Sequence, residues 1–107
     1  MSEEVKEIEV FESRRFSKAL SKLSDQQLKT VEDYIEKIIE DPNLGEQKKG
    51  DLSHVRVYKF KLDNQLALLG YSYVQGQLQL YLLNLASHEN FYRDMKKQRK
   101  SDLNLIK

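Results

Sequence analysis

A chain of 107 residues with 39 % hydrophobic side chains and 18 basic against 17 acidic groups suits one packed domain spanning 1–107, and its balance argues against a disordered polyelectrolyte. Zero cysteines exclude disulfides and thiolate metal sites, and two histidines, His54 and His88, are too few for a zinc set, so no metal and no cofactor is expected. No apolar run approaches the roughly 20 residues of a spanning helix, and Met1-Ser2-Glu3-Glu4 lacks the basic start of a signal peptide, which predicts a cytoplasmic protein with no membrane partner.

Residues 5–12 read as a first strand, with Val5, Ile8 and Val10 among charges and Phe11 closing the run. Ser13 then offers an N-cap to a short helix whose Phe16, Ala19, Leu20 and Leu23 form one apolar stripe. Ser24 and Gln27 make a capping box for a second helix, carrying Leu28, Val31, Ile35 and Ile38, which Asp41-Pro42 stops. Residues 41–51 hold the only proline and two of the four glycines and read as a polar loop.

Three strands follow, near 55–62, 65–74 and 77–85, separated by Asp63-Asn64 and Gln75-Gly76, pairs that suit tight hairpin turns. Antiparallel pairing in sequence order is therefore expected. Ser87 caps a last helix carrying Phe91 and Met95, and 101–107 is a mixed ending. The predicted class is α+β: an antiparallel four-stranded sheet with an N-terminal helical hairpin on one face and a short C-terminal helix.

Side chains two apart in a strand point the same way, so Tyr58, Phe60 and Leu62 face a core while Val57, Lys59 and Lys61 face away from it. In the last strand the same alternation groups Tyr81, Leu83 and Leu85 against Leu80, Leu82 and Asn84. Leu66, Leu68, Leu80 and Leu82 then make the second face apolar, and such a face needs a cover, from the final helix or a partner chain.

Ser87-His88-Glu89-Asn90-Phe91-Tyr92-Arg93 places an imidazole, a carboxylate and a phenol at a strand-to-helix junction. With Lys59 and Lys61 they suggest a phosphate-handling site. Simpler roles exist for each: alternating lysines protect a strand face, His88 and Glu89 suit a helix start, Phe91 and Tyr92 anchor a helix, and His54 reads as solvated. Arg93, Lys96, Lys97, Arg99 and Lys100, against Asp94, form a basic run that can meet phosphates or an acidic partner.

The order strand, helical hairpin, meander and terminal helix resembles the RelE/ParE superfamily of bacterial toxins from toxin-antitoxin pairs, across nearly the whole chain. Gly50-Asp51-Leu52 leading into Val55-Arg56-Val57-Tyr58-Lys59-Phe60-Lys61-Leu62 is similar to the family's basic strand, and Ala86-Ser87-His88-Glu89-Asn90-Phe91-Tyr92 resembles the ending of HigB-like members. Leu68 stands where RelE-type members carry a strand arginine.

The resemblance implies cleavage of messenger RNA in the ribosomal decoding site without metal. Lys59 and Lys61 would hold the developing phosphate charge, His88 would act as acid or base, Glu89 or Tyr92 would supply the remaining proton transfer or stack on a base, and Lys48, Lys49, Arg56, Arg93, Lys96 and Lys97 would contact the RNA backbone. Implied partners are the ribosome, mRNA and a cognate antitoxin seated on Leu66, Leu68, Leu80 and Leu82, forming a hetero-oligomer. Two alternatives stay open: a ParE-type poison of DNA gyrase, and an attenuated, non-catalytic module that binds antitoxin.

Overall fold

The computed structural model describes residues 7–106, so Val5 and the Met1–Glu4 segment read above lie outside the described residues. The chain runs β1 (Glu9–Glu12), α1 (Arg14–Ser21), α2 (Asp25–Glu40), β2 (Glu46–Gln47), a 3-10 turn (Gly50–Leu52), β3 (Arg56–Leu62), β4 (Gln65–Val74), a second 3-10 turn (Gln75–Gln77), β5 (Gln79–Ser87), α3 (His88–Lys97) and α4 (Arg99–Ile106). Among the described residues no helix is long and apolar enough to cross a membrane.

Two of the three helix caps read from the sequence, Ser13 and Ser24, form as expected. The Ser13 hydroxyl accepts from the Phe16 N–H at 3.1 Å, and Ser24 and Gln27 close a reciprocal box at 3.2 and 3.0 Å, each satisfying N–H groups that the first turn leaves open. Asp63 and Asn64 both take positive φ, 53° and 71°, as a two-residue turn between right-twisted strands requires. The second connection differs from expectation: Gln75–Gln77 forms a 3-10 turn and Leu78 carries the left-handed φ of 53°, so the turn is longer than the Gln75-Gly76 pair alone.

The sheet is five-stranded and mixed, ordered β1-β5-β4-β3-β2, which corrects the four-stranded antiparallel expectation. Strands β3, β4 and β5 are antiparallel neighbours in sequence order, as predicted. β1, however, pairs parallel with β5, Phe11 opposite Tyr81, because the intervening chain returns in the same direction before joining it. Within the expected polar loop, Glu46 and Gln47 pair with Val57 and Arg56 to add a two-residue edge strand. The mixed ending forms α4, tied to α1 by two Arg15–Asp102 hydrogen bonds of 2.9 and 2.8 Å.

Each face of the sheet has its own core. Phe16, Val31 and Ile38 of the helical hairpin pack on Phe60, Ala67, Leu69, Tyr71, Leu80, Leu82 and Leu85. Phe91 and Met95 of α3 pack on Val57, Leu68, Tyr81 and Leu83, with Leu52 and Val55. The alternation read for β5 fails after Leu82: Gly70 pairs with Asn84 but Tyr71 with Leu82, so Leu83 is an extra, bulged residue. One inserted residue reverses every face beyond it. Leu80, Leu82 and Leu85 therefore lie under the hairpin, and Tyr81 and Leu83 lie under α3. Ser13 pins this bulge, donating its hydroxyl to the Leu83 carbonyl at 2.7 Å.

Candidate phosphate-binding and proton-transfer site

α3 starts where β5 ends, with extended Ser87 as its N-cap residue, although the Ser87 hydroxyl makes no capping hydrogen bond. Phe91 and Met95, four apart, are fully buried and fix the helix against the sheet. That orientation leaves His88 and Glu89 exposed and Tyr92 half-buried. His88 and Tyr92, also four apart, meet edge to face with ring centroids 6.4 Å apart. His88 and Glu89 line an open depression together with Gln65, Leu66 and Ser87.

Lys59 and Lys61 stand on this same side of the sheet, since they pair directly with Leu68 and Leu66 and opposed residues share a face. Both ammonium-bearing residues are exposed, and Lys61 sits across from the Leu66 that borders the His88 depression. The edge strand β2 brings a further group. Glu46, opposite Val57, accepts from Lys48 Nζ at 3.0 Å, and Lys48 Nζ lies 5.3 Å from the centre of the Tyr92 ring.

These charges perturb one another. The Tyr92 phenol raises the Lys48 pKa first, against partial desolvation and with help from Glu46, although the ammonium lies over the ring without a well-formed hydrogen bond to the hydroxyl. Lys48 in turn holds the Glu46 carboxyl below its ordinary range, first by hydrogen bond and then by charge, with Lys59 adding to the effect. The result is three cations, Lys48, Lys59 and Lys61, on the face that carries Tyr92, with an imidazole and a carboxylate at the start of α3. Such an arrangement can bind a phosphodiester and exchange protons with it.

Other predicted residues are not part of this group. Arg56 pairs with Tyr71 on the hairpin side, and its guanidinium donates to the carbonyls of Gly45 at 2.8 Å and Asn43 at 3.3 Å. It buttresses the loop before β2 and leaves the proposed RNA face. Arg93 donates to Asn90 at 2.8 Å, while exposed Lys96 and Lys97 lie along α3 about 12–14 Å from His88 at ~1.5 Å per residue. Lys49 is exposed beside the first 3-10 turn.

The leucine surface is also corrected. Leu68, Leu80 and Leu82 are 0, 0 and 1 % exposed, covered by the chain's own helices, so Leu66 at 41 % is the one member open to a partner. Full burial of such side chains stabilises by about 1.5–3 kcal/mol each, and the fold itself captures it. Leu68, in the place of the strand arginine, is sealed under α3 and contributes nothing charged to the surface. His54 is not solvated as expected: it is partly buried with Leu103 and Ile106 of α4 along the same cavity, and desolvation lowers its pKa. Glu46 was not among the residues singled out from the sequence, and only its pairing with β3 places it.

A five-stranded mixed sheet with a helical hairpin on one face and a short helix presenting polar groups on the other defines a RelE-like α+β domain. The family model for ParE-like toxins of type II bacterial toxin-antitoxin systems matches residues 10–96, and the chain belongs to that family. Its fold is similar to the E. coli RelBE toxin-antitoxin complex, with TM-score 0.61 and 16 % identity over 76 % of this chain and 96 % of that one. It is also similar to isolated E. coli RelE toxin, TM-score 0.59 and 16 % identity over 85 and 98 % of the two chains. An archaeal RelE-RelB complex from Pyrococcus horikoshii OT3 gives TM-score 0.54 and 16 % identity over 75 and 93 %. No curated protein matches by sequence.

Proposed function

We propose that this toxin is an endoribonuclease that cuts ribosome-bound mRNA in the cytoplasm, using its own side chains for charge stabilisation and proton transfer. The observation that supports the reading is that Lys59 and Lys61 share the sheet face on which Lys48 lies over Tyr92, while His88 and Glu89 line a depression bordered by Leu66, opposite Lys61. In the reaction a base, Glu89 or His88, takes the proton of a 2′-hydroxyl. The 2′-oxygen bonds to phosphorus, the bond to the 5′-oxygen breaks, and His88 or Tyr92 protonates the leaving oxygen. The products are a 2′,3′-cyclic phosphate and a free 5′-hydroxyl. Lys59 and Lys61 neutralise the charge that builds on the phosphorane. A cognate antitoxin is the natural partner, as in the RelE complexes above.

The buried Leu68 favours a second reading. With no cation from β4, the surface is poorer in charge than a nuclease of the resembled type, and the family match is to ParE-like toxins. A gyrase poison or a non-catalytic antitoxin-binding module would fit these two facts. Mapping RNA 5′ ends after induction separates the readings. The nuclease reading expects new translation-dependent ends within coding regions. DNA damage without such ends selects the gyrase reading, and neither effect selects the binding module.

A further inference from the structure

Besides Glu89 at the start of α3, the fold brings a second carboxylate, Glu46, to the cations of the candidate site. β2 is an edge strand of two residues, and among the described residues its only sheet partner is β3. The pairing of Glu46 with Val57 points its side chain to the lysine face, and Lys59, two residues along β3, is its diagonal neighbour there. Lys48 Nζ reaches back to Glu46 Oε1 at 3.0 Å while lying over the Tyr92 ring. The carboxylate is 67 % exposed at its side chain, so water reaches the pair and its attraction is weak enough to exchange. A carboxylate and a phosphodiester offer ammonium groups the same thing: a compact anionic oxygen acceptor.

We propose that Glu46 is a resident counter-ion of the lysine cluster, occupying the position of an RNA phosphate, so that substrate must displace it from Lys48. The proposal rests on the RNA-binding reading of this face. In the free protein Glu46 holds Lys48 over Tyr92 and lowers the net charge between β2 and α3. When RNA arrives, Lys48 transfers from Glu46 to a phosphate oxygen and the carboxylate turns to water. Glu46 thus sets the threshold at which polyanions bind and disfavours weak, non-specific ones.

The test is binding of a short single-stranded RNA oligonucleotide to the purified full chain at low and moderate salt. Glu46→Gln keeps the size of the side chain and removes its charge. It is expected to tighten binding about 2- to 5-fold at low salt, the scale of one exposed charge pair. Glu36→Gln, on the exposed side of α2, supplies the control for net charge alone and is expected to change binding less. In a Lys48→Ala background the gain from E46Q is expected to shrink, because the displaced partner is gone. Equal gains for E46Q and E36Q, or an equal gain with and without Lys48, overturn the proposal. Unchanged or weaker binding by E46Q also overturns it while leaving the nuclease reading standing. No RNA binding by native or E46Q protein overturns the counter-ion proposal, and the nuclease reading falls with it only if native protein also leaves ribosome-bound mRNA intact.

Discussion

A methyl group added at Gly70 would stand 2.6 Å from Phe91 Cζ and 3.0 Å from Phe91 Cε1. The absence of a side chain in the middle of β4 is therefore what lets α3 lie flat on the sheet. Because His88, Glu89 and Tyr92 belong to that helix, the position of Phe91 sets the position of the candidate site.

Gly70→Ala is expected to push Phe91 away and cost about 1–3 kcal/mol, the usual cost of overpacking. Chemical denaturation gives the stability, and the His88 and Tyr92 ring resonances report the accompanying movement of α3. A G70A protein with native stability and native ring shifts would show that α3 is not held this way.

Tyr71 acts on the other side of the site. Its hydroxyl donates to the Pro42 carbonyl at 2.7 Å and accepts from the Gly45 N–H at 2.8 Å, clamping the loop that leads into β2. Tyr71→Phe is expected to lose about 1–2 kcal/mol, because a buried N–H is left without its acceptor. Loosened β2 would also carry Glu46 and Lys48 with it. Hydrogen exchange of the Gly45 amide, faster in Y71F than in the native chain, checks the mechanism directly.

Arg15 and Asp102 join α1 to α4 in a two-pronged pair, and Asp102 is 2 % exposed. Asp102→Ala leaves a guanidinium facing a buried hole and is expected to cost about 2–4 kcal/mol, slightly below a fully buried pair because Arg15 is 23 % exposed. Proteolysis should then cut first within 99–106. Resistance equal to the native chain would mean that α4 is held by other contacts.

His54 makes stability depend on pH. Desolvation lowers its folded pKa, opposed by the charge of Asp102 and assisted by Arg99, and its buried Nε2 has no hydrogen-bond partner. The unfolded chain, where the imidazole titrates near its ordinary 6.5, then binds more protons than the folded chain just below that pH. Stability is expected to fall as pH drops through about 6.5 and to level off below the folded pKa. His54→Gln should flatten that decline in denaturant titrations at several pH values, whereas an unchanged slope would assign it to another group.

Much local chemistry was legible in the sequence, though not at Gln75-Gly76, where the turn runs on to a left-handed Leu78, nor at Ser87, whose hydroxyl makes no capping bond. Ser13, the Ser24–Gln27 box and the Asp63-Asn64 turn each act over a separation of three residues or fewer. Strand alternation also put Lys59 and Lys61 on the face opposite Phe60. The remaining errors came from long-range pairing. Nothing near Leu83 marks it as a bulge, yet that one residue moved Leu80 and Leu82 under the hairpin. The parallel β1–β5 contact joins residues 70 apart, and β2 exists only because β3 lies beside it. Glu46 was therefore brought to the lysine face by tertiary pairing, whereas strand alternation alone already puts Arg56 on the opposite face with Tyr58 and Phe60.

The most direct test of the site is the rate of mRNA cleavage in a purified translation reaction, native chain against the triple variant Lys59→Ala, Lys61→Ala and His88→Ala. All three side chains are exposed, so the variant is expected to fold normally, which its unfolding curve verifies. The account predicts translation-dependent cleavage within coding regions by the native chain and a loss of at least about 10²-fold in the folded variant. Cleavage at the native rate by that variant, or none by the native chain, would contradict it.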